Sequence, residues 1–183
     1  MYIRCILKLA RIRRDTRDDF LPSKDNPLLC GRLGQPRVPG SGDDLVVFTH
    51  STDIAKFVVS SLDLPKWQEE SYILGEKFTW HEFIKLAEDA KGSKFNVVHD
   101  FEADLRAGRV SMLPSYTKML QLPEADIQAL LSTAGMWFVD KELDLNPQHA
   151  LNKDFPEIKP MKVKDFLESS WKDTDATGSE VKM

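Results

Sequence analysis

Ser71-Tyr72-Ile73-Leu74-Gly75, then Thr79-Trp80-His81-Glu82-Phe83-Ile84, closed at Gly92, is the stretch on which the fold class turns. Four β-prone residues ended by a glycine are too short for a helix and read as a strand with its turn. Thr79 stands three positions before Glu82, the spacing at which a hydroxyl and a carboxylate satisfy each other's free amides in a helix's first turn. The pattern predicts a helix from Trp80. Its apolar face carries Trp80, Phe83, Ile84, Ala87 and Ala90, its outer face Glu82, Lys85, Glu88 and Asp89, and Gly92 is its C-terminal cap. A strand leading into an amphipathic helix is the repeating unit of an α/β fold.

The same logic extends in both directions. Upstream, residues 45–49 (Leu-Val-Val-Phe-Thr) read as a buried strand, and Ser51 or Thr52 as the cap of a helix carrying Ile54, Phe57, Val58 and Leu62 on one face. Asp53 lies near the positive N-terminus of that helix, and Pro65 stops it. Downstream, 95–99 reads as a third strand and 102–107 as a short helix closed by Gly108. Pro123 introduces a helix with Ile127, Leu130, Leu131, Ala134 and Phe138 on one side. A last helix uses Val163, Phe166, Leu167 and Trp171. Prolines and glycines interrupt residues 1–37, an irregular basic leader, and 173–183 is a polar tail expected to be disordered.

A chain of 183 residues suits one globular unit. The apolar start, Ile6-Leu7 and Leu9-Ala10, is broken by Lys8 and Arg11, far short of a bilayer span or the h-region of a secretory signal. The cytoplasm is the expected compartment. A mitochondrial address is the alternative for a basic start, and Asp15, Asp18 and Asp19 oppose it. The leader holds nine basic and four acidic residues, so the rest of the chain is acidic and gives nucleic acid no basic face. Cys5 and Cys30 are the only cysteines, which excludes a disulfide framework.

Candidate chemistry is sparse. Gly40-Ser41-Gly42 and Gly31-Arg32-Leu33-Gly34 lack the strand before and helix after that a dinucleotide fingerprint requires, and both read as surface turns. The four histidines offer no pair one helical turn apart, so no metal centre is expected. No serine stands in a nucleophile elbow, and no tyrosine is followed four positions later by lysine. The densest polar cluster is Phe48, Thr49, His50 and Asp53 at the mouth of a predicted strand, where open α/β sheets bind ligands. Against a pocket role stands the simpler reading of a capped helix start. Trp80 and Trp171 fall on helix faces where core packing is the commoner fate.

Pro39-Gly40-Ser41-Gly42-Asp43, Val47-Phe48-Thr49-His50, Asp53-Ile54-Ala55-Lys56-Phe57-Val58, Leu62-Asp63-Leu64-Pro65, Tyr72-Ile73-Leu74-Gly75 and Thr79-Trp80 follow one another in an order that resembles a known group. It is the NmrA-like, isoflavone-reductase-like group of atypical short-chain dehydrogenases, in its fungal form. The likeness continues through Leu151-Asn152, Phe155-Pro156 and Lys162-Val163-Lys164 to Trp171 and covers residues 38–172. It implies an α/β fold, a partial NAD(P)-binding Rossmann-type protein that is mainly the carboxy-terminal substrate lobe, with the amino-terminal dinucleotide-binding half missing. It implies NADP(H) or NAD(H) for the full-length family and none for this chain alone, since no residue here matches the cofactor turn or the catalytic Tyr or Lys. Phe48, Thr49, His50 and Asp53 correspond to a segment of the substrate-pocket wall. The implied partner is a small-molecule substrate once the other half is present, with no nucleic acid, no membrane, and self-association through exposed edges. A non-catalytic regulatory or protein-binding module is the alternative.

Overall fold

The computed structural model describes residues 2–3, 35–113, 116–117 and 120–177, and of 2–3 and 171–177 the backbone alone. The two cysteines, the Gly31 to Gly34 turn, the Trp171 side chain and residues 178–183 lie outside the described residues. The described elements are β1 (Tyr2–Ile3), β2 (Arg37–Pro39), β3 (Leu45–Phe48), α1 (Ser51–Ser61), β4 (Glu70–Ser71), β5 (Glu76–Thr79), α2 (Trp80–Lys91), β6 (Val98–Asp100), α3 (Glu102–Arg106), α4 (Glu124–Val139), α5 (Leu151–Asp154) and α6 (Val163–Thr177). Strands pair in twos: β1 with β4 and β2 with β6 in parallel, β3 with β5 antiparallel. The α/β class is as the sequence implies. No described helix is long and apolar enough to cross a membrane.

The helix from Trp80 forms as its spacing dictates. Glu82 N donates to Thr79 Oγ1 at 3.2 Å, Thr79 N donates to Glu82 Oε2 at 2.8 Å, and Gly92 ends the helix at φ 74°. Its inner face, Trp80, Phe83, Ile84 and Ala87, joins Val38, Phe95 and Leu167 in the main core. Each large side chain there contributes about 1.5–3 kcal/mol by leaving water. A second cluster gathers Phe57, Ile73 and Leu151, a third Leu113, Tyr116 and Ile127.

Several local expectations are corrected. The strand expected over 71–74 pairs only at Glu70 and Ser71, because the groups beyond are held by distant side chains and loops. Leu151 N donates to Tyr72 O, and the Asn152 amide both accepts from Leu74 N and donates to Leu74 O, each at 2.8 Å. The strand that pairs with β3 is instead 76–79, hidden in sequence by its charged Glu76 and Lys77. The 95–99 strand is shifted to Val98–Asp100, since Phe95 N donates to the Glu88 carboxylate and its ring enters the core.

The helices differ in detail too. Leu62 is 57% exposed at the C-cap of α1 instead of lying on its buried face. In α4 the buried residues are Ile127, Ser132 and Gly135, while Leu130, Leu131, Ala134 and Phe138 are half-buried. A Cβ at Gly135 would stand 2.6 Å from the Leu105 side chain, so the glycine gives the buried Leu105 its room against α4. The α6 backbone continues past Trp171 to Thr177.

Candidate functional site at the end of β3

Phe48 ends β3 with its ring stacked on Phe83 at 4.8 Å and edge-on to Trp80 at 5.8 Å, which sets it in the aromatic core. Thr49 follows, its Oγ1 accepting from Gly75 N at 3.0 Å. His50 is the N-cap of α1 in place of the expected Ser51 or Thr52. Its Nδ1 accepts from Thr52 N at 3.3 Å and lies 2.7 Å from Thr52 Oγ1, so the ring supplies the acceptor that a cap hydroxyl usually would. With Nδ1 accepting, the neutral ring carries its proton on Nε2, which makes it a donor. The ring centre lies 5.1 Å from that of Phe166.

Asp53 is fully buried. A buried carboxylate needs partners, and it has two: Met161 N donates to Oδ2 at 2.6 Å and Lys56 Nζ to Oδ1 at 2.8 Å. Glu76 acts alongside it, accepting from Val163 N at 2.7 Å. Two carboxylates from different elements thus satisfy backbone amides at and just before the start of α6, where helix donors have no intrahelical acceptor. Neither contact was legible in sequence, since 108 and 87 positions separate the partners.

The four expected wall residues therefore lie along one strand-to-helix turn, and each has a protein contact of its own. Beside them an open groove of about 740 Å³ runs between Thr52, Lys56 and Val59 of α1 and Glu157, Ile158 and Lys159. Thr52 joins the two features, capping with His50 and lining the groove. Among the described residues, no group of three or more His, Cys, Asp or Glu is placed to hold a metal.

The glycine turn is partly engaged by the protein itself. Gly40 (φ 65°) and Gly42 (φ 86°) turn the chain from β2 into β3, a strand-to-strand connection. Gly40 N donates to Asp100 O and Gly42 O accepts from His81 N, so the Gly40 amide is spent on β6 and the turn is tied to the start of α2.

No family model matches the chain. Oxidoreductase swnN of Metarhizium robertsii is 30% identical over 142 residues, which is 73% of this chain and 40% of that protein. Oxidoreductase BOA1 of Botryotinia fuckeliana is 33% identical over 126 residues, 66% of this chain and 37% of that protein. The chain spans about two-fifths of the length of these curated relatives. In structure, the leucoanthocyanidin reductase–NADPH complex of Vitis vinifera aligns with a TM-score of 0.57 over 75% of this chain and 44% of that one, at 15% identity, a likeness of fold. The chain is thus a relative of fungal oxidoreductases and carries the fold of part of an NmrA-like, isoflavone-reductase-like NAD(P)-binding protein.

Proposed function

We propose that this chain does the substrate-side work of an NAD(P)-dependent reductase and does not hold the dinucleotide by itself. The observation that carries the reading is the likeness to oxidoreductases over 66% to 73% of this chain, with only two-fifths of their length spanned. Residues 38–172 form the working unit, apart from the leader 1–37 and the end 173–183. The protein acts in the cytoplasm on a small organic substrate, with neither nucleic acid nor membrane as partner, and associates with itself through unpaired strand edges. Thr49 and His50 face the substrate in the assembled enzyme, His50 donating from Nε2, while Phe48 and Asp53 hold the turn from behind. The partly spent glycine turn supports the view that NADP(H) or NAD(H) is anchored by another part of a reductase.

A second reading, a non-catalytic binding module derived from such a reductase, is favoured by the protein-bound state of Thr49, His50 and Asp53. Calorimetric titration of the chain with NADPH, together with light scattering, tests the first reading. No saturable binding and a tendency to associate are expected. Stoichiometric micromolar binding by a monomer would overturn it. In a complex with a dinucleotide-binding half, His50→Ala should lower kcat/KM more than stability, and an unchanged kcat/KM selects the second reading.

A further inference from the structure

His81, in the first turn of α2, and His99, in the middle of β6, stand 18 positions apart in sequence, yet the fold sets their ring centres 5.7 Å apart at 58°. Each ring is held by one nitrogen. His99 Nδ1 lies 3.0 Å from Gly40 O, which only accepts, so Nδ1 carries the proton and Nε2 the lone pair. His81 Nδ1 lies 2.9 Å from Asp43 Oδ1, and the carboxylate fixes the same tautomer. Among the described residues, neither Nε2 has a hydrogen-bond partner. This is how proteins prepare imidazoles for a cation: one nitrogen donates to a carboxylate or carbonyl, which orients the ring and raises the basicity of the other.

The distances agree with that use. A cation about 2.0–2.1 Å from each nitrogen lies about 3.2 Å from each ring centre, which places two such centres roughly 5–6 Å apart. Gly42 gives the room, because a Cβ at its φ of 86° would stand 3.1 Å from His81 Nε2. The His81 side chain is 49% exposed, so the pair is open to solvent. Phe101, 62% exposed and stacked on His99 at 6.1 Å, forms an apolar rim. With no third His, Cys, Asp or Glu in place among the described residues, the other coordination positions fall to water or to a donor atom of a bound molecule.

We infer that His81 and His99 form an open two-imidazole site for a divalent cation of the zinc, nickel or copper type, which imidazole suits. This goes beyond the reductase reading and does not depend on it. Titration of the full chain with NiCl2 should show one equivalent bound. His81→Ala and His99→Ala should each weaken it by about tenfold or more, and Asp43→Asn by about tenfold, the scale of losing a group that orients a ligand. His149→Ala, whose ring pairs with Asp154, should leave it within about twofold. Affinity that survives both His81→Ala and His99→Ala, as binding by the leader cysteines would, overturns the site. A readout in the unmodified chain covers the case of a variant that fails to fold. Substoichiometric Cu2+ should broaden the imidazole proton resonances of His81 and His99 before those of His50 and His149, and equal broadening of all four overturns the site.

Discussion

Gly75 lies so close to the end of β3 that a Cβ built on it would fall 2.0 Å from the Phe48 carbonyl oxygen. Its amide meanwhile donates to Thr49 Oγ1. Because the clash is with backbone, no rotamer relieves it, and the strand end would have to move away from β5. Gly75→Ala should destabilise by at least about 3 kcal/mol, beyond the usual cost of overpacking. Urea midpoints check this, and a change below about 1 kcal/mol would mean that the segment yields freely.

Trp80 is 5% exposed and touches Phe48, Phe83 and Phe138 through its ring, while its Nε1 has no acceptor. Its worth is therefore in packing. Trp80→Ala should cost roughly 3–5 kcal/mol, as for other large core aromatics. Trp80→Phe should cost less than half of that, since the group lost beyond the ring volume includes an unsatisfied donor. An alanine variant within about 0.5 kcal/mol of wild type would put the residue on the surface and remove the orientation of α2.

The part of the fold legible in sequence is the part written in local chemistry. Thr79, Glu82, Trp80, Phe83 and Gly92 specify α2 within fourteen residues, and each does what its spacing demands. Where pairing depends on distant residues the sequence misleads: Ile73 is buried as a strand residue would be, but its neighbours bond to Leu151 and Asn152. The site divides the same way. His50 and Asp53 stand out as polar residues at a strand end, and the Thr52 that His50 caps is local, whereas Phe166 beside the His50 ring and Met161 on the Asp53 carboxylate lie more than a hundred positions away. The meeting of His81 with His99 has no local signature at all, because a strand register and a helix start combine to make it.

The Asp53 carboxylate ties the segment before α6 to α1, so its loss should be felt at Met161. Asp53→Ala leaves the Met161 amide without its acceptor, at a cost of about 1–3 kcal/mol. Hydrogen exchange at Met161 should accelerate more than the global stability change explains. Lys56→Ala should destabilise the wild type by leaving a buried charge less compensated, yet be nearly neutral when Asp53 is already alanine. A double-mutant cycle with no coupling between the two would show that the 2.8 Å pair contributes nothing.

Tyr116 carries a pH dependence of its own. Burial pushes its phenol up from the usual 10.0 to about 12, against the pull of the Arg37 guanidinium, with Asp100 adding to the rise. The folded chain therefore keeps this proton while the unfolded chain gives it up above pH 10. Stability is full below pH 10 and falls as pH rises toward about 12, because the unfolded state then binds fewer protons than the native one. Tyr116→Phe removes the phenol and should flatten the decline of the urea midpoint over that range. The difference spectrum between wild type and the variant should show phenolate absorbance only near pH 12 in the folded protein, and near 10 in urea. If phenolate appears near 10 in both, Tyr116 is in contact with water, and the third core cluster, in which it packs with Leu113 and Ile127, opens readily.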